Sequence, residues 1–397
     1  MKARGVLQRF WKQDWALSVM LVLLVLLVFV LPPFTAAREE RGPLVDIVLT
    51  LLLAAGVAGL QVRPWTRAAL LLAAAAGGAW FALGQSAFEL TAARALIGLG
   101  VSGCLMASFS AFALWYPPER LATMNGIAFA SGMLGAVVAT VPLEIALRAL
   151  HWREVFAGIV ALTVAVSLVL YLVVPERAAA ARGASLASQW RGFAQLARDA
   201  AFWRAALCIG SSQLAAVSLS TLWVATWLRD VAGYSPAEVA RALLVFSVAM
   251  MFGYLGFGRA ADLMARRGLS TLPLLAGGVA VASLCLALLA LGVRTGVVAL
   301  WTVFFVSATA IVLSYSLFSR RYPREMAGRV NTALNVFVFV GMFSGQWAVG
   351  LLLSLWPPTA TGYAPEAYAW ALGMLWLVQF AGLAWLWTGR RAFATPR

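Results

Sequence analysis

Charge is what this chain lacks most. Of its 397 residues only 11% are Asp, Glu, Lys or Arg, and just 15 are acidic. A soluble globular domain carries about 25% charged residues. A chain with less than half that fraction cannot cover a water-facing surface. Histidine is nearly absent too. The single His151 cannot build a histidine metal cluster. The three cysteines, Cys104, Cys208 and Cys285, all sit inside apolar runs, and none pairs with another at metal-ligand spacing. They read as small buried residues, so no metal site is expected. No G-x-x-x-x-G-K-[ST] loop occurs, which disfavours direct ATP coupling. No hydrolytic or redox constellation appears, so neither an enzyme nor a bound cofactor is expected.

What remains is apolar. Hydrophobic residues make up 63% of the chain and the mean hydropathy is +0.88. Many runs approach the roughly 20 residues needed to cross a ~30 Å hydrocarbon core. Twelve candidate spans follow: 15–33, 44–61, 66–84, 89–115, 122–147, 154–174, 204–228, 237–258, 270–292, 296–318, 327–356 and 367–388. The expected fold class is an all-α membrane protein, and the lipid bilayer is its first partner.

The net charge of +15 is better read by side than as a nucleic-acid signal, and no nucleic-acid partner is expected. An even number of spans puts both termini on one side. That side holds 22 of the 30 Lys and Arg residues, with 8 on the other side or within spans. The positive-inside rule makes the rich side cytoplasmic. The expected location is therefore a bacterial-type inner (plasma) membrane, with a multi-pass chain and both termini inside.

A short phrase is written twice. Residues 115–125 read WYPPERLATMN and residues 321–331 read RYPREMAGRVN. Tyr116/Tyr322, Pro117/Pro323, Glu119/Glu325 and Asn125/Asn331 match at an offset of 206 residues. The two copies follow spans four and ten, on the same side and in the same direction. That predicts a parallel repeat of two pseudo-symmetric six-helix bundles, with a substrate site between them near the bilayer midplane. The longest polar connection, 175–203, is rich in Ala and Arg and separates a bundle over 1–174 from one over 204–397. It reads as a cytoplasmic linker, with or without an amphipathic helix lying on the inner leaflet.

With these features in view, the chain resembles a major facilitator superfamily permease. Gly258-Arg259-Ala260-Ala261-Asp262-Leu263-Met264-Ala265-Arg266-Arg267-Gly268 resembles that family's G-x-x-x-D-x-x-x-R-R loop between spans eight and nine. Arg94-Ala95-Leu96-Ile97-Gly98-Leu99-Gly100 resembles its span-four motif. His151-Trp152-Arg153-Glu154-Val155-Phe156 resembles its W-R-x-x-F entry to span six. In flavour the chain is most similar to the broad group that includes nitrate/nitrite porters, although span five lacks the Gly-Asn of the nitrate signature. The resemblance implies that Asp262 meets the start of span five, near Leu121, as part of a cytoplasmic gate. Arg266, Arg267 and Arg329 are the other gating candidates. A carboxylate suits such a place, because it accepts from exposed N–H groups and favours the positive end of the helix dipole.

Inside the spans, polar residues are costly and mark candidates. Arg94 lies some way into span four, and it leans the reading toward an anionic small-molecule substrate. Its bland alternatives are snorkelling and a local pair with Glu89. Glu144, near the outer end of span five, is a coupling candidate, with a pair to Arg148 as the alternative. Gln213, Tyr315, Asn335 and Gln346 are cavity candidates. Trp223 and Trp227 read as interface aromatics. Ser235-Pro236-Ala237-Glu238 reads as a capping box.

The first part of the chain departs from the pattern. Span one, WALSVMLVLLVLLVFVLPPF, is almost wholly aliphatic. The connection GLQVRPWTRA lacks the Asp and double Arg of the family's first-half motif. Residues 1–70 faintly resemble small bacterial channel-like membrane proteins. Two functions therefore stand. One is a secondary transporter of a small solute, proton- or solute-coupled and expected as a monomer. The other is a non-transporting or channel-like membrane protein, a fused or degenerate permease.

Overall fold

The computed structural model describes residues 64–101, 104–138, 141–173, 196, 198–322, 326–357, 359 and 362–393. The expected spans 15–33 and 44–61, and residues 175–195 and 197 of the 175–203 connection, lie outside the described residues. The chain divides into two compact units, one of residues 1–111 and 131–190, the other of 112–130 and 191–397.

In the first unit the helices are α1 (Pro64–Leu83), α2 (Ala87–Val101), most of α3 (Cys104–Trp115), the end of α4 (Leu121–Val138), α5 (Val141–Ala149) and α6 (Trp152–Val173). A small aromatic core forms where Phe81 meets Phe156 and Trp152. Arg153 adds a polar tie. Its Nε–H donates to the Ala82 carbonyl (2.8 Å) and its guanidinium to the Gly84 carbonyl (3.0 Å). Carbonyls at a helix C-terminus have no partner of their own, and Arg153 supplies one.

The second unit opens with the end of α3, a 3-10 turn (Pro118–Arg120) and the start of α4. It continues through α7 (Ala200–Ser218), a π-helical turn (Leu219–Trp223), α8 (Val224–Asp230), α9 (Pro236–Arg266), α10 (Leu272–Ala290), α11 (Val297–Ala308), a 3-10 turn (Thr309–Val312), α12 (Leu313–Arg321), α13 (Ala327–Leu353) and α14 (Pro365–Thr388), ending in a 3-10 turn (Arg390–Phe393). Local chemistry explains several ends. The capping box forms at α9, where Ser235 and Glu238 exchange hydrogen bonds and Pro236 follows at the first position. Asp199 caps α7 by accepting from the Ala201 N–H (2.8 Å). Gly296 takes a left-handed φ of 62° just before α11.

Eight helical stretches among the described residues are long and apolar enough to cross a membrane. Their outer faces are apolar as well as their cores. Phe252, Leu284 and Trp370 are each at least 60% exposed, as helices solvated by lipid require. The core of the second unit is aromatic: Trp301 is fully buried and packs edge-on to Trp227 and Phe304.

Two expectations need correction. Span eight does not stop at 258, because α9 runs to Arg266. The Gly258–Arg266 motif is thus helical rather than a loop, and its glycine and alanines serve helix packing. Trp223 and Trp227 are not interface aromatics. They are buried, since neighbouring helices enclose α7 and α8 along most of their length.

Candidate functional site

Asp262 is the most informative side chain. It lies on α9, is 1% exposed, and faces the first turn of α4. One carboxylate oxygen accepts from the Ala122 N–H at 3.2 Å, the other from the Thr123 N–H at 2.8 Å. These N–H groups have no partner within their own helix, and they carry the positive end of its dipole. The sequence permits the approach because both helices offer glycine there. A Cβ on Gly258 would lie 2.7 Å from the Ala122 carbonyl oxygen, and one on Gly126 would collide with the Tyr254 carbonyl. Arg266 and Arg267 close the same helix and are exposed. Arg329 stands in the first turn of α13, and its side chain lies outside the described residues.

Deeper in the unit, aromatic and amide groups converge. The Phe129 ring stacks on Tyr254 with centroids 5.0 Å apart and tilts against Tyr315 at 5.9 Å. The Tyr315 hydroxyl donates to Asn335 Oδ1 at 3.3 Å. One turn before Asn335 on α13, Asn331 is 1% exposed and both its amide atoms lack a hydrogen-bond partner. Eleven residues beyond Asn335, about three turns and roughly 16 Å along the axis, Gln346 lies on nearly the same face. Its Nε2 donates to Thr221 Oγ1 at 2.8 Å, and its backbone carbonyl accepts from the Trp223 indole N–H at 3.2 Å. Thr221 and Trp223 belong to the π-helical turn. Such turns are rare and concentrate at functional positions. The arrangement offers aromatic faces, phenols and carboxamides, which suit a small solute with hydrogen-bonding groups.

Tight helix packing supports this column. A Cβ on Gly341 or Gly345 would collide with the Gly210 or Leu214 carbonyl of α7, so α13 and α7 approach at backbone contact, as the four-residue glycine spacing predicts. Gln213 is buried in α7. In the other unit, Arg94 is half-buried with its guanidinium 5.9 Å from the Phe81 ring centroid, while Glu89 accepts from the Gln85 N–H. Glu144 falls in α5, and its side chain lies outside the described residues.

Sequence reasoning missed two clasps. At one end of α7, Asp199 accepts from the Tyr322 hydroxyl and, at 3.4 Å, from Arg321. Burial alone raises the Asp199 carboxyl. The bonds from Tyr322, the Ala201 N–H and Arg321 outweigh that and hold it below the usual carboxylate range. At the end of α8, Asp230 accepts from Arg229 (2.7 Å), from the Tyr368 hydroxyl (2.9 Å) and from the Tyr363 N–H (3.2 Å). The scarcity of acids was a signal for Asp230, whose side chain is buried. In a chain with 15 acids, every buried carboxylate needs a built partner.

Comparison with known proteins fits this picture. The family model described as Major Facilitator Superfamily matches residues 47–346. The transporter FucP, solved in the outward conformation, aligns with a TM-score of 0.70 at 15% identity, covering 94% of this chain and 98% of that one. A bacterial homologue of the iron transporter ferroportin in an outward-facing state gives 0.67 at 15%, covering 95% and 100%. The human organic anion transporter MFSD10 (TETRAN) gives 0.66 at 15%, covering 94% and 98%. At such identities the structural likeness concerns the fold alone. No curated protein matches the sequence, and the likeness to nitrate/nitrite porters gains no support. The family match, reaching across most of the chain, settles the wider class: this is a multi-pass membrane protein that belongs to the major facilitator superfamily.

Proposed function

We propose that the protein is a secondary active transporter, moving a small solute across the membrane by alternating access between two six-helix bundles, twelve spans in all. The bundles occupy 1–174 and 204–397, joined by the 175–203 linker. Both termini are cytoplasmic in a bacterial-type inner membrane, and the molecule works as a monomer. The observation that carries the reading is the buried Asp262 carboxylate seated on the start of α4. A bond of that kind is strong enough to hold one closed arrangement and weak enough to release it. Arg266, Arg267 and Arg329 act with Asp262 in the gate. Tyr315, Asn335, Gln213 and Gln346 contact the solute. Arg94 contributes the preference for an anion, and Glu144 the coupling.

A second reading is a channel-like or non-transporting protein. It draws on the aliphatic span one and the missing first-half acid. The two are separated in proteoliposomes holding the purified protein. Influx of radiolabelled sugars and organic anions is measured with and without a pH gradient, for the natural sequence, Asp262→Asn and Arg94→Ala. Saturable flux that Asp262→Asn slows supports the transporter. The absence of flux for every solute in every condition sinks it.

A further inference from the structure

One group of charged and aromatic side chains is left over from transport. At the end of the second unit where α7 begins and α14 stops, Arg204 reaches across from α7. Its guanidinium donates to the Trp385 carbonyl and the Thr388 hydroxyl, each at 2.8 Å, and lies 5.6 Å from the Trp385 ring centroid. Arg390 donates to the Trp387 carbonyl at 3.2 Å and lies 5.0 Å from that ring. Arg391 follows, exposed. Among the described residues, none of these three arginines pairs with a carboxylate. The tryptophans are not core residues: Trp203 is 36%, Trp385 41% and Trp387 46% exposed. A turn deeper on α7, Leu207 is exposed, and two turns deeper on the Trp387 face of α14, Phe380 is exposed.

We propose that this end of the bundle is a binding site for an anionic glycerophospholipid. Arg390 and Arg391 hold the phosphate diester. Arg204, fixed by its bonds to α14, adds positive charge and keeps the two helix ends together. The Trp387 face lies along the glycerol region, and an acyl chain runs past Phe380 on the same face of α14. Three features select this ligand. Among the described residues the cationic groups have no carboxylate partner, so they offer their charge to an outside anion. Tryptophan beside arginine at a helix end is the chemistry of the headgroup layer. The surface leading away from the arginines is apolar, which suits a ligand with a hydrocarbon tail and not a free phosphate. The site depends on the helices being in a bilayer and not on the transport cycle, so its failure leaves the transporter reading untouched.

The test uses the full-length protein in neutral detergent. Retention of dioleoylphosphatidylglycerol and of dioleoylphosphatidylcholine is measured by native mass spectrometry. The expected result is preferential retention of phosphatidylglycerol. Arg390→Gln with Arg391→Gln abolishes the preference, at about fivefold per arginine, while Arg390→Lys with Arg391→Lys keeps most of it. Arg241→Gln with Arg294→Gln, two exposed arginines elsewhere on the unit, leaves it unchanged. Equal retention of the two lipids by the natural sequence overturns the proposal, as does an equal loss in the Arg241/Arg294 variant. Displacement of the lipid by millimolar inorganic phosphate or glycerol 3-phosphate also overturns it, since the site then serves a soluble anion.

Discussion

Replacing Asp262 with asparagine removes one charge and almost no volume, which makes it the sharpest probe of the α9–α4 contact. The carboxylate accepts at 3.2 and 2.8 Å from two N–H groups of a helix start. The amide keeps one acceptor oxygen and turns a donor toward the other N–H. A buried donor left without an acceptor costs about 1–3 kcal/mol, and losing the charge at the dipole costs about 0.3–2 kcal/mol. Together they weaken the closed contact by roughly 1.3–5 kcal/mol, a factor of about 10 to 5,000 in its equilibrium. The assay places a reporter cysteine at Ala122, which is 1% exposed, in a background where Cys104, Cys208 and Cys285 are alanine. Alkylation by a soluble maleimide then reports how often the contact opens. Asp262→Asn is expected to speed alkylation at least tenfold without a matching collapse of the melting temperature. A rate within twofold of the parent, in a protein that melts normally, refutes the idea that this carboxylate holds the contact shut.

Three further outcomes are expected. Gly258→Val forces α9 away from the Ala122 carbonyl, so it lowers stability by about 1–3 kcal/mol in thermal melts and speeds alkylation of the same reporter. Asp230→Ala leaves the Tyr363 N–H and the Tyr368 hydroxyl without their acceptor, and limited proteolysis near 357–364 should accelerate severalfold. Asp199 has a lowered pKa in the folded protein, so its stabilisation is complete above the unfolded value of about 4 and is lost as pH falls through the lowered folded value. Melting temperature should therefore hold between pH 7 and 5 and drop only under about pH 4. Tyr322→Phe should make that acid-side drop shallower.

The sequence made the membrane class and most spans legible, because apolar run length is a direct physical requirement of crossing lipid. The Asp262 contact was legible through its motif and through elementary dipole chemistry. Other features were hidden for identifiable reasons. The burial of Trp223 and Trp227 depends on which face of span seven turns inward, and depth along a span carries no information about facing. Phe129 and Tyr254 are ordinary aromatics until α4 and α9 meet at Gly126 and Gly258. The Asp199–Tyr322 clasp joins residues 123 positions apart, and no local pattern announces it. The repeated phrase had nevertheless placed Tyr322 at a corner worth inspecting.

The π-helical turn at Leu219–Trp223 has one last implication. A turn of that width holds an extra residue compared with its α-helical counterpart, and one residue is about 100° of rotation. The α8 piece of span seven is thereby dialled into a different azimuth from the α7 piece. With that offset Trp227 points at Trp301 and Asp230 at the Tyr363–Tyr368 corner. Deleting a single amino acid between 219 and 223 would leave the span long enough to cross the bilayer, yet swing both anchors toward the wrong neighbours. Homologous chains that differ by one residue in this segment should accordingly carry different partners for the end of α8.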